Sequence, residues 1–95
     1  MSISKLKMSD DTAELVRTLH PHIKRKIKAA LQAVLNDPHS GKELKDDLEG
    51  LQSFKVGKFR VIYKTAKDKG IIEVVAIGPR KTIYEETLRL LQREK

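Results

Sequence analysis

The 95-residue chain has no cysteine and no tryptophan, and only two tyrosines, two phenylalanines and three prolines. Without cysteine, disulfides, thiolate nucleophiles and cysteine-ligated zinc are excluded. Four aromatic side chains are too few for the repeated stacking platforms of single-strand nucleic-acid binders, so any such binding rests on charge and shape. No segment approaches the roughly 20 apolar residues needed to span a bilayer, and residues 1–7 lack an apolar run of signal-peptide length. The expectation is a soluble, cytoplasmic protein with no membrane partner. His20, His22 and His39 form no metal-ligand spacing with a carboxylate pair, and neither a His-Glu-x-x-His motif nor a Walker-type glycine loop occurs. No metal and no cofactor is expected. The acidic run Asp46, Asp47 and Glu49 reads most simply as a solvated connection balanced by nearby lysines.

What the chain has in excess is positive charge: 20 Lys+Arg against 13 Asp+Glu, a net charge of +7. The excess is uneven. Residues 1–53 carry nine basic and eight acidic side chains (net +1), whereas residues 54–95 carry eleven and five (net +6). Such a balance favours polyanionic partners through long-range attraction. Ninety-five residues suffice for one domain with a single modest core, here residues 1–95.

Hydrophobic periodicity divides the chain. Residues 2–8 alternate weakly, as a short edge strand does. Asp11 followed by Glu14 resembles a capping box ahead of Leu15, Val16 and Leu19, which predicts a helix from about Asp11 to Leu19. His20-Pro21 breaks it, and Ile23, Ile27, Ala30, Leu31, Val34 and Leu35 follow at helical spacing up to Asn36-Asp37-Pro38. The basic run Lys24, Arg25, Lys26 and Lys28 reads most simply as the wet side of this second helix. Residues 39–53 form a connection with room for one helical turn held by Leu44 and Leu48. From Phe54 the period becomes two: Phe54, Val56, Phe59, Val61 and Tyr63 share one face, and Lys58, Arg60, Ile62 and Lys64 the other. Gly57 marks a tight bend, Lys67-Asp68-Lys69-Gly70 a hairpin loop with glycine at positive φ, and Ile71 to Ile77 a central strand ended by Gly78-Pro79. Ile83, Thr87, Leu90 and Leu91 predict a C-terminal helix. The order β-α-α-β-β-β-α implies an α+β fold: a small antiparallel sheet with the helix hairpin packed on one face and the other face partly open, displaying Arg60.

Two arginines beside apolar anchors on neighbouring strands suggest a phosphate site, since the guanidinium offers five donors in a planar fork. If Arg60 and Arg80 approach one phosphodiester, with Lys55, Lys58, Lys64 and Lys81 deepening the field, they can stabilise the extra charge of its five-coordinate transition state. Arginine itself cannot serve as a base. Neighbouring positive charge favours the deprotonated forms of an ammonium or a phenol, so Lys81 and Tyr84 are candidates for proton transfer. RNA carries its own nucleophile in the 2′-hydroxyl, and one acceptor and one donor then suffice for scission. Read without that chemistry, the same arginines are solvated strand residues paired to carboxylates, and Tyr84 packs the rim of a helix.

The segments Leu48-Glu49-Gly50, Lys55-Val56-Gly57-Lys58-Phe59-Arg60-Val61-Ile62-Tyr63 and Val75-Ala76-Ile77-Gly78-Pro79-Arg80-Lys81-Thr82-Ile83-Tyr84 resemble the RelE/ParE superfamily of type II toxins. The resemblance covers nearly the whole chain, and its most specific parts are the Gly-x-aromatic-Arg-x-x-Tyr core and the Gly-x-Arg after the last strand. It implies a toxin that cleaves messenger RNA on the ribosome and is held in check by a cognate antitoxin that wraps it. It also implies catalytic roles for Arg60, Arg80 and Tyr84: phosphate binding for the arginines, orientation or proton transfer for the tyrosine. Many relatives have histidine where Pro79 stands and a lysine pair where this chain has Gln52 and Ser53, which leaves Lys55 as the nearby amine. Lys58, Lys64 and Lys81 are the implied RNA-binding residues. The ParE branch, with the same fold, poisons DNA gyrase by protein binding and is the alternative.

Overall fold

The computed structural model describes residues 5–66 and 70–93. Strand β1 (Lys5–Met8) leads into helices α1 (Asp10–Thr18) and α2 (Pro21–Asn36). Strand β2 (Lys42–Glu43) and a 3₁₀ turn (Asp46–Leu48) follow, then β3 (Gln52–Val56), β4 (Phe59–Ala66), β5 (Ile71–Pro79) and helix α3 (Ile83–Arg93). The expected element order is present, with the two-residue β2 as an addition inside the connection. Residues 2–4 of the expected first strand and 67–69 of the expected hairpin loop lie outside the described residues, while Gly70 has the anticipated positive φ of 59°.

Local chemistry sets the helix ends. The Ser9 hydroxyl, not Asp11, caps α1, accepting the Thr12 N–H at 3.2 Å. Glu14, expected to close a capping box, instead pairs with Arg17 one turn on. Serine wins because its short hydroxyl reaches a free amide of the first turn from an extended backbone, φ −69° and ψ 161°. Ser9→Ala is therefore expected to lower stability by about 1 kcal/mol, seen as a lower urea midpoint at unchanged slope. An unchanged midpoint would show the cap to be idle. In α2, Pro21 occupies the first turn, where its missing N–H has no partner to lose, and Ile27, Ala30, Leu31 and Val34 are buried at helical spacing.

The five strands are ordered β1-β5-β4-β3-β2. Antiparallel pairing joins β2 through β5, and β1 runs parallel to β5, from Lys5 opposite Ile71 to Met8 opposite Val74. Alternation within β1 is silent on its partner's direction, so this parallel pairing was not foreseen. Between β3 and β4 the two-residue turn Gly57-Lys58 has Gly57 at φ +60°, the conformation that hairpins assign to a leading glycine. A register shift between Ile62 and Tyr63 pairs Ile62 with Ala76 but Tyr63 with Val74, leaving Val75 as the extra residue. This bulge turns Val74 and Ile77 towards one face of the sheet and Val75 and Ala76 towards the other.

The first face carries Phe54, Val56, Phe59, Val61 and Tyr63, as the period-two pattern predicts, and packs on Val16 of α1 and Ile27, Leu31 and Val34 of α2. The second face is not left open. Leu51, Ile62 and Ala76 form an apolar strip there, and α3 covers it with Ile83 and Thr87, both fully buried. Gly78 permits that closeness: a Cβ on it would lie 2.9 Å from Ile83 Cδ1. The connection before β3 is tied to the sheet by Tyr63, whose hydroxyl donates to the Pro38 carbonyl and accepts the Gly41 N–H, both at 2.9 Å. Burial pushes the Tyr63 phenol above its usual pKa, a rise opposed in part by the Gly41 and Ser40 hydrogen bonds.

Candidate phosphate-binding site

On the face that α3 partly covers, the β3–β4 register sets Lys55 directly opposite Arg60, and the β4–β5 register sets Arg60 opposite Gly78. Directly opposed like charges on a sheet repel, so this arrangement invites an anion. Arg80 lies two residues beyond Gly78. Its N–H donates to the Lys58 carbonyl at 2.7 Å, which fixes the start of the Arg80-Lys81-Thr82 turn against the β3–β4 hairpin. Opposed strand residues stand roughly 5 Å apart, so Lys55, Arg60 and the Arg80 backbone occupy neighbouring rungs.

Arg60 is half-buried. Its Nη1 donates to Ser53 Oγ at 3.1 Å, and Ser53 Oγ in turn shares a hydrogen bond with the Tyr84 hydroxyl at 3.2 Å. The Arg60 Nε–H is buried with no hydrogen-bond partner among the described residues. The ion pairs found among the described residues are Arg17–Glu14, Lys64–Glu73 and Arg89–Glu85; none involves Arg60, Arg80 or Lys55. A buried N–H without a partner costs about 1–3 kcal/mol.

Tyr84, half-buried at the start of α3, is carried to this place by its neighbour Ile83, which is anchored under the helix. Arg60 and Tyr84 thus meet through one intermediary. Lys58 and Lys81 are exposed at the turns that flank Arg80. Lys64 is not brought to the site. It stands four residues along β4 from Arg60, about 13 Å at strand rise, and is engaged with Glu73 at 3.4 Å. Ser53, only 2% exposed, was passed over as a site residue. The signal was present, because alternation places it two positions before Lys55 on the same face.

Among the described residues, no group of three or more His, Asp or Glu side chains is placed to hold a metal ion, and no helix is long and apolar enough to cross a membrane.

Comparison with known proteins bears on the fold and the family. A family model, the ParE toxin of type II toxin-antitoxin system, parDE, matches residues 5–84. Toxin RelE of Mycobacterium tuberculosis (strain ATCC 25618 / H37Rv) is 37% identical over an alignment of 90 residues, covering 81% of this chain and 92% of that protein. The fold matches a double mutant of E. coli toxin RelE in the free state with a TM-score of 0.74 at 19% identity, covering 94% of this chain and 97% of that one. It also matches a chain of the RelBE2 toxin-antitoxin complex from Mycobacterium tuberculosis with a TM-score of 0.73 at 20% identity, covering 84% and 94%. A two-helix hairpin and a C-terminal helix on opposite faces of one sheet, a cationic rung at Lys55 and Arg60, and a family match across 5–84 together make this chain a member of the RelE/ParE superfamily of type II toxins.

Proposed function

We propose that this toxin is a ribosome-dependent endoribonuclease that cuts messenger RNA through the 2′-hydroxyl of the substrate. The observation that carries this reading is Arg60: a half-buried cation with an unpartnered Nε–H, no ion pair among the described residues, and Lys55 across the rung. A scissile phosphate supplies the missing anion, and its transition state, with one more negative charge, binds more tightly than the ground state. Guanidinium groups then neutralise charge that a metal ion neutralises elsewhere. Arg80 closes on the phosphate from the end of β5, Tyr84 orients or moves the proton at the reacting oxygens, and Lys55, an exposed amine beside Arg60, is the nearest candidate to receive the 2′-hydroxyl proton. Lys58 and Lys81 steer the flanking phosphates.

Purified toxin incubated with programmed ribosomes should cut the message within the decoding site, and Arg80→Ala should slow cutting about 100-fold, the scale of one lost transition-state donor. Intact messages at stoichiometric wild-type toxin would sink the proposal. A gyrase-directed toxin is the alternative, and a supercoiling assay with no loss of gyrase activity removes it. The partner in the resting state is a cognate antitoxin, as in the RelB-RelE complexes to which the fold is similar. Its expected chemistry is an acidic segment that folds on the basic face and neutralises it.

A further inference from the structure

We infer that Ser53 is a positioning residue that couples Arg60 to Tyr84 in the reaction; the inference rests on the ribonuclease reading above. Ser53 sits in β3, 2% exposed, with its hydroxyl bonded to both functional groups. Its neighbours settle most of its hydrogen bonding. A guanidinium only donates, so Ser53 Oγ accepts from Arg60. One lone pair and one hydrogen remain for Tyr84. When Ser53 O–H donates to the Tyr84 oxygen, donation runs Arg60 to Ser53 to Tyr84, and the Tyr84 O–H is free to point out of the protein at the substrate. A hydrogen-bond chain running in one direction strengthens each link, and it sends the polarising effect of the buried cation to the phenol oxygen.

The sequence around Ser53 supports a placed hydroxyl over a packing serine. Ser53 lies between Ile62 of β4 and Lys42 of β2, on the face that carries the apolar cluster of Leu51, Ile62, Ala76 and Ile83. An alanine there would satisfy packing equally well. A hydroxyl buried in such surroundings is stabilised only by the two groups it bonds. It also holds the Arg60 fork: with Nε buried and one Nη1 hydrogen bound to Ser53, Nη2 and the second Nη1 hydrogen are the donors left to meet a phosphate. Without Ser53, both Arg60 and Tyr84 keep their backbone positions and lose their relative orientation.

The test is a double-mutant cycle on single-turnover cleavage by the full chain, freed of antitoxin, on programmed ribosomes. Ser53→Ala is expected to slow cleavage about 10- to 100-fold, the scale of one hydrogen bond to a charged group, with ribosome binding changed by less than about threefold. Tyr84→Phe should slow cleavage as well, and Ser53→Ala in the Tyr84→Phe background should cost far less than it does alone. A serine that only packs would shift urea stability and leave the cleavage cycle additive, so urea midpoints of all four proteins are measured in parallel. Additive effects, or a folded Ser53→Ala protein cutting at the wild-type rate, overturn the inference while leaving the ribonuclease reading intact. A wild-type protein that leaves messages whole overturns that reading and this inference with it.

Discussion

Arg60→Met is expected to abolish message cleavage and, at the same time, to raise the unfolding midpoint. The two effects have one cause. Arg60 is half-buried, its Nε–H has no partner, its Nη1 is bonded to a neutral hydroxyl, and the residue across the rung is another cation. Partial desolvation of a guanidinium without an ion pair among the described residues and repulsion from Lys55 both oppose folding. Methionine keeps much of the stem's volume and removes the charge, so stability should rise by about 1 kcal/mol or more, or roughly 4–8 °C per kcal/mol for a domain of this size. Cleavage should fall by at least about 100- to 1,000-fold, since a donor aimed at the transition state is gone. Calorimetry beside the ribosome assay checks both halves. If the variant loses stability in step with activity, Arg60 is holding the sheet together and its lack of a carboxylate means nothing for function.

The largest loss of stability is expected at Gly41, where the connection meets the sheet. A Cβ at Gly41 would stand 2.5 Å from the Tyr63 hydroxyl and 2.9 Å from its ring. Tyr63 has 0% exposure in the middle of the first core and cannot step aside. Gly41→Ala must therefore push the segment 38–41 off the sheet, giving up both hydrogen bonds to the phenol as well as straining the packing. A loss of about 3–5 kcal/mol follows from overpacking together with the unmet polar groups. Tyr63→Phe should cost about 1–3 kcal/mol, because it leaves the Gly41 N–H and the Pro38 carbonyl without their partner. Since Gly41→Ala already breaks that tie, the two changes combined should cost less than their sum, which denaturant titration of the four proteins would show. Additive costs would mean that the alanine is accommodated elsewhere. The alkaline limb carries a second signature. Burial raises the Tyr63 pKa above the usual phenol value, so the stability tied to the neutral phenol is complete below about pH 10. It is lost as pH climbs through the folded value, and Tyr63→Phe should flatten that part of the profile.

The strand pattern was legible because each face of this sheet meets one apolar layer. Phe54, Val56, Phe59, Val61 and Tyr63 could be assigned to the helix-hairpin side from alternation alone, and they pack there. The α2 boundaries were equally plain, since proline can begin a helix and Asn36-Asp37-Pro38 cannot continue one. The expected cap of α1 differs because Asp11 and Glu14 make a plausible pair on paper, whereas the helix begins at Asp10 and the cap is Ser9, two residues earlier. The covered second face was missed for a different reason. Leu51, Ile62, Ala76 and Ile83 come from four separate segments, and no local window contains enough of them to announce a core.

The candidate site divides in the same way. Arg60, Arg80 and Tyr84 were legible as residue types in a recurring pattern, and the basic C-terminal half pointed to an anionic target. Their linkage was not. Ser53, Arg60 and Tyr84 are separated by 7 and 24 residues, with 31 between the hydroxyl pair, and a shared hydrogen bond over such spans has no periodic trace. One strand's alternation could also not show that Lys64 is drawn to Glu73 across the β4–β5 rung.

Left to itself, the order of residues dictated which segments are helix or strand, which side of each is apolar, and where positive charge accumulates, because those properties follow from neighbours within one or two turns. Only the assembled tertiary fold decided that α3 lies over the Arg60 face, that the Arg60 Nε is buried without a partner among the described residues, and that Ser53 bridges the guanidinium to Tyr84. Desolvation and hydrogen-bond geometry depend on what surrounds an atom in space, and in this protein those surroundings come from segments far apart in the chain.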